Sequence, residues 1–164
     1  MGTIVSGTES LDSQRVSALG PVASAYKNCT TQLKELQDLL GGKVTGWPKL
    51  KRDNMPDHDA YNDYSWFCDY FSNAISSVGN AIDTCQRHGR DPGANLEAFL
   101  RKIDARQDEF ARLRAAIEAN RASIPDVADQ ALESLKRLEA SKDAFCGEVS
   151  TWLGEQKQPK VITH

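Results

Sequence analysis

The chain has 164 residues, of which 40% are hydrophobic and 26% charged, with 20 basic and 23 acidic side chains and a formal net charge of −3. This composition excludes a disordered or collagen-like chain, and the length favours one domain with a continuous core. The small acidic excess disfavours nucleic-acid binding through bulk charge. Nucleic acid is therefore expected as a partner only if the chain forms an assembled coat.

Residues 1–20 are predicted to form an N-terminal arm, with a short extra helix over 10–19. The arm begins MGTIVS, which fits the pattern in which Gly2 is N-myristoylated after removal of the first methionine. Because this pattern specifies few residues, an ordinary unmodified start is the alternative. One acyl chain alone gives only marginal membrane binding, so membrane association is a secondary expectation.

The first predicted helix begins at Pro21, since proline is tolerated in a first helical turn. Its apolar residues recur at alternating spacings of three and four, which is typical of a helix that buries one stripe. The pair Gly41-Gly42 is predicted to end the helix and to open a longer connection over 41–58. The predicted stripe consists of Val22, Tyr26, Cys29, Leu33, Leu36 and Leu40.

The second predicted helix follows an acidic capping segment and ends in the turn at 87–93. Its part from Tyr70 to Ile82 contains no charged residue. In this part the core stripe lacks charge, as expected, and so does a second face of the helix. The predicted stripe consists of Tyr61, Tyr64, Cys68, Phe71, Ile75, Val78, Ile82 and Cys85.

This second face carries Trp66, Tyr70, Asn73 and Ser77. A solvated helix face normally carries Lys, Glu or Arg, whereas aromatic anchors are enriched at interfaces and small residues allow a close approach. We expect the face to be covered either by the N-terminal segment of the same chain or by a second molecule. In the second case these four residues form an interface.

Two further stripes predict a third and a fourth helix. Arg106 interrupts the third stripe, which consists of Leu96, Phe99, Ile103, Phe110, Leu113 and Ile117. Lys142 occupies a position within the fourth stripe, which consists of Ala128, Ala131, Leu135, Leu138, Phe145, Val149 and Trp152. Strand signals are nearly absent. The short links predict an all-α fold, an antiparallel up-down four-helix bundle over 21–153, with a C-terminal tail over 154–164.

Four cysteines, Cys29, Cys68, Cys85 and Cys146, are widely spaced and form no CxxC motif, so neither a zinc ribbon nor a thioredoxin-like motif is present. Buried thiols in a cytoplasmic protein are the first interpretation. The alternative is a secreted protein whose signal peptide has been removed, with two disulfides. In that case Cys29 with Cys68 and Cys85 with Cys146 lie near the same levels of the predicted bundle.

Groups suited to catalysis are sparse. The three histidines His58, His88 and His164 occur in no ExxH or HExxH spacing, and no GxGxxG, P-loop or GxSxG motif is present. We therefore expect no enzyme activity, cofactor, metal site or small-molecule substrate.

Three separated fragments, MPDHD before the second helix, DTCQR at its end, and Phe145 to Trp152, resemble the arrangement in coat proteins of rod-shaped plant viruses. The resemblance implies a four-helix bundle that assembles with copies of itself. The chain departs from that pattern where a Phe-Glu pair is expected, since it has Phe145-Cys146.

The leading functional hypothesis is a non-catalytic helical-bundle protein, cytoplasmic and acting through protein-protein contacts. One alternative is a self-assembling structural subunit, capsid- or matrix-like, associated with a membrane through Gly2. Another is a small secreted helical effector linked by disulfides.

Overall fold

The computed structural model describes residues 17–44 and 60–157, and the regular structure of these residues is entirely helical. This confirms the all-α prediction. Among these described residues, no helix is both long and apolar enough to cross a membrane. The helices are α1 (Gly20–Val44), α2 (Ala60–His88), α3 (Gly93–Ala105), α4 (Asp108–Ala119) and α5 (Ala128–Lys157), with a 3-10 turn at Arg121–Ser123 before α5.

The predicted end of the first helix was wrong. Pro21 lies in the first turn of α1, as expected, but the helix continues through Gly41 and Gly42 to Val44. A glycine ends a helix when it adopts the left-handed conformation, and Gly89 is the one described residue with a positive φ, of 71°. Glycine lowers helix stability without forbidding the helix, so the glycine pair alone does not end α1.

The turn after α2 lies where it was predicted. Gly89 takes the left-handed conformation, and its N–H donates to the carbonyl of Cys85 at 2.8 Å, which closes the helix. Two residues later, the Oδ1 of Asp91 accepts a hydrogen bond from the N–H of Gly93 at 2.9 Å, at the start of α3. A left-handed glycine and an aspartate turn therefore reverse the chain between these helices.

The predicted third helix is two helices, α3 and α4, separated at Arg106 and Gln107. Arg106 occupies a stripe position where an apolar side chain would continue the core. Its backbone N–H instead bonds Ile103 at 3.1 Å, a tighter turn that ends α3. The break leaves the Arg106 side chain exposed, and α4 restarts with Asp108 and Glu109, whose charge favours a helix N-terminus.

Helix α1 makes its most extensive contact with α5, and α2 packs on both α3 and α4. Tyr26 lies 5.9 Å from Phe145 between ring centroids, and Glu35 lies 3.9 Å from Arg137, so α1 and α5 run in opposite directions. Helix α2 also contacts α1, while α3 and α4 contact α5.

The predicted stripes form the core. Every stripe residue whose side chain the structure describes is buried or half-buried. Lys142 is also buried, with its ammonium 2.7 Å from the exposed Asp143 carboxylate and 5.1 Å from the centre of the Phe110 ring. Phe67 belongs to no predicted stripe, yet it is fully buried and stacks on Phe71 at 5.6 Å.

Three predictions concern the ends of the chain. Helix α5 continues to Lys157, so residues 154–157 of the predicted tail are helical, and the rest of that tail lies outside the described residues. Most of the predicted extra helix over 10–19, and Gly2 with its lipidation prediction, lie outside the described residues.

Candidate functional site

Trp66, in the second turn of α2, is 52% exposed, and it is the one large hydrophobic residue in solvent among those whose side chains the structure describes. A single exposed apolar residue is ordinary on a protein surface. Its neighbours therefore decide whether it marks a contact surface.

Trp66, Tyr70 and Asn73 line one groove of about 410 Å³ between α2 and the end of α3. We call it the α2-α3 groove. Its opposite wall is supplied by Lys102 and Ala105 of α3 and by Arg106 at the break after α3, and Asp69 of α2 also lines it. Three of the four predicted interface residues are thus brought together, and the break after α3 places a cation beside them.

The Tyr70 ring forms the fixed part of this groove. It is half-buried, packs edge-on against Phe67 at 6.3 Å, and lies under the Arg106 guanidinium, 5.8 Å from the ring centre. Burial, followed by the nearby Glu109 carboxylate, raises the pKa of Tyr70, so its hydroxyl stays neutral. The ring is therefore held in place before any partner arrives, which lowers the entropy lost on binding.

The charges around the groove are only partly compensated. Lys102 and Asp69 make no ion pair with other described residues, while Arg106 approaches Glu109 at 3.8 Å. Two cations and one anion therefore surround an aromatic centre. The interface positions that contribute most of the binding free energy are enriched in tryptophan, tyrosine and arginine.

Ser77 lies elsewhere. It is exposed and lines a separate cleft of about 320 Å³ with Thr84, the turn residues 90–92 and Asn95 of α3. The predicted four-residue face is therefore divided, and Ser77 does not share the groove of Trp66.

The chain itself covers another part of the charge-free segment. The Tyr26 side chain of α1 lies directly over Gly79, where any β-carbon would overlap it. The small residue at 79 thus allows α1 and α2 to approach closely. This contact accounts for one uncharged side of α2 without a second molecule.

The cysteines are thiols rather than disulfides in the structure. Cys68 lies at the level of Gln37, whose Nε2 is 3.8 Å from its sulfur, while Cys29 interacts with Ser141 and Cys146 on α5. The prediction that Cys29 and Cys68 lie at the same level of the bundle was therefore wrong. The register of α1 against α2 differs from the one obtained by counting residues from the helix ends. Burial raises the pKa of Cys29 to about 12 and that of Cys146 to about 11, which disfavours reactive thiolates.

Within the described ranges, no three His, Cys, Asp or Glu side chains converge as a metal site requires. The candidate site is therefore the α2-α3 groove. Sequence reasoning found its α2 wall but missed Lys102, Ala105 and the role of Arg106. The one available signal was the arginine that interrupts the third stripe.

Comparisons with protein-family models, curated proteins and solved structures give no match for this chain. The fragments that resemble plant-virus coat proteins gain no support from them. The α2-α3 groove is therefore the feature of this chain that bears on its function.

Proposed function

We propose that this protein is a non-catalytic helical bundle that acts through protein-protein contacts, with the α2-α3 groove as its contact surface. The observation that carries the proposal is the half-exposed Trp66 beside the fixed Tyr70 ring. Covering the exposed half of a tryptophan removes about 100 Å² from water and contributes about 2 kcal/mol. Such an anchor is large enough to dominate a small interface.

We also propose that residues 21–153 form an up-down four-helix bundle in which α3 and α4 share the third position. The contacts of α1 with α2, of α2 with α3 and α4, and of these two with α5 support this arrangement. The contact between α5 and α1 closes the ring of neighbours.

A protein partner fits the groove better than a nucleic acid or a small metabolite. Asp69 lies among the groove residues and would repel a phosphate backbone, and the chain is acidic overall. A small-molecule site buries most of its ligand in a concave pocket, whereas this groove leaves half of its main aromatic side chain, Trp66, exposed at the surface.

A photocrosslinking experiment tests the proposal. Trp66 is replaced by the photoreactive residue p-benzoylphenylalanine, and Thr151, which is exposed on α5 and outside the groove, receives the same replacement as the control. After irradiation in an extract of the source cells, we expect protein adducts at position 66 and not at 151. Equal or absent crosslinking at the two positions contradicts the proposal.

A further inference from the structure

A second groove, of about 610 Å³, lies between α1 and α5, and we call it the α1-α5 groove. The partly buried Leu39 is its one apolar lining residue, and four of its seven lining residues are acidic. The lining residues are Glu35, Asp38, Leu39, Asp129, Gln130, Glu133 and Arg137.

The acidic rim is poorly neutralised. Glu35 meets Arg137 only at 3.9 Å, Asp38 meets the exposed Lys34 at 3.8 Å, and Glu133 makes no ion pair with other described residues. Exposed pairs at these distances contribute little. Asp129 is paired with Arg121, which does not line the groove. The other three carboxylates against one lining guanidinium therefore leave a net negative groove beside Leu39.

The two grooves are complementary in chemistry. The α2-α3 groove presents the exposed Trp66 with two cations, Lys102 and Arg106, against the one anion of Asp69. The α1-α5 groove presents Leu39 among carboxylates. In the proposed bundle they lie on opposite sides, since α1 packs on α5 and α2 packs on α3. The contact between Gln37 and Cys68 places them at a similar level along the helices.

We propose that the partner at the α2-α3 groove is a second copy of this chain, which receives Trp66 in its α1-α5 groove. Lys102 and Arg106 then face carboxylates such as Glu133, so electrostatic attraction orients the contact. This inference rests on the proposed function and names its partner. Because the two surfaces differ, the contact is heterologous, and each copy has both surfaces free for further copies. Assembly therefore continues into rows or closes into a ring.

The test is molar mass by light scattering over a concentration series, at low and at high salt. We expect the mass to rise with concentration and to fall with added salt, because the contact depends on charge. Trp66→Ala should weaken association about 30-fold, from the loss of about 2 kcal/mol of apolar burial. Far-UV circular dichroism confirms that each variant keeps its helices.

A charge exchange identifies the partner surface. Glu133→Lys and Lys102→Glu should each weaken self-association at least tenfold, since each places like charges across the contact. An equimolar mixture of the two variants should associate again. In the mixture, Lys102 of one variant meets Glu133 of the other, and the two substituted side chains also meet as opposite charges. Glu155→Lys, at an exposed position of α5, is the matched control and should leave association unchanged.

The outcomes separate the two proposals. A monomer at all concentrations overturns the second-copy inference, while the crosslinking at position 66 still tests the proposed function. Association that Trp66→Ala abolishes, but that the charge variants and their mixture leave unchanged, overturns the α1-α5 groove as the receiving surface and supports the α2-α3 groove. Association that Trp66→Ala leaves unchanged overturns the inference. Self-association would then give no support to the α2-α3 groove as a contact surface.

Discussion

Replacing Gly79 by alanine tests the contact between α1 and α2. A β-carbon at position 79 would lie within 2.6 Å of Cζ of Tyr26 and closer still to its hydroxyl. Gly147 provides a matched control, because it lies inside α5 and its would-be β-carbon meets nothing within 4 Å apart from its chain neighbours and the helix backbone around it. The two substitutions make the same change in helix interiors and differ in the space around them.

The magnitudes follow from two opposing effects. Alanine stabilises a helix interior by about 0.5–1 kcal/mol relative to glycine, so Gly147→Ala should raise the free energy of unfolding by that amount. At Gly79 the same gain is opposed by overpacking, which costs about 1–3 kcal/mol when a neighbour must shift. Tyr26 must leave its position against Phe145 to make room. We expect Gly79→Ala to be less stable than Gly147→Ala by about 1–3 kcal/mol.

Urea unfolding followed by circular dichroism at 222 nm measures both free energies. The same Gly79→Ala change in a Tyr26→Leu background removes the overlap, so it should there be as favourable as Gly147→Ala. Equal stabilisation by Gly79→Ala and Gly147→Ala in the natural background would show that Tyr26 does not constrain position 79.

Three further predictions address buried charge, thiols and a turn. Lys142→Met should leave the free energy of unfolding equal or higher, because methionine fills the site while Asp143 is already in solvent; a loss above about 2 kcal/mol in urea unfolding would contradict this. The pKa of Cys29 is raised from 9.0 to about 12 in the folded state, so the neutral thiol stabilises the fold below pH 9, and this stability is lost as pH rises from 9 towards 12. Unfolding titrations at pH 8 and pH 10.5 should therefore show a smaller decline in Cys29→Ala than in the natural chain, and an equal decline would refute the assignment. Asp91→Ala should cost about 0.5–1 kcal/mol by removing the hydrogen bond to Gly93, whereas Asp91→Asn should retain most of it; thermal unfolding compares the two.

The core could be predicted from the sequence because helix burial is a periodic property of the chain. Stripe residues such as Leu36 and Phe145 are buried as their spacing indicates. Phe67 escaped the prediction because it widens the buried face of α2 beyond a stripe of alternating threes and fours. The predicted end of α1 at Gly41 was wrong because glycine permits a helix end and does not require one.

The groove could be predicted only by half. Trp66 and Tyr70 stand out because they lie four residues apart beside the core stripe. Lys102 and Ala105 come from another helix, and their distance from Trp66 depends on how α3 packs on α2. Helix register and packing depend on side-chain shapes on both helices, and a periodic pattern does not specify them. Ser77 shows the same limit, because it falls beyond the end of this groove.

The most extensive helix contact, between α1 and α5, joins segments that are separated by most of the chain. Ordering the long intervening segment costs chain entropy, and each doubling of its length adds about 0.6 kcal/mol. The neighbouring pair α2 and α3 needs only a short turn and is free of most of that cost. We expect α2, α3 and α4 to be structured in the folding transition state and the α1-α5 contact to form late. A circular permutant that links residue 157 to residue 20 and opens the chain between α1 and α2 makes the α1-α5 contact local and keeps α2, α3 and α4 contiguous. Stopped-flow refolding should therefore show that it folds faster than the natural chain.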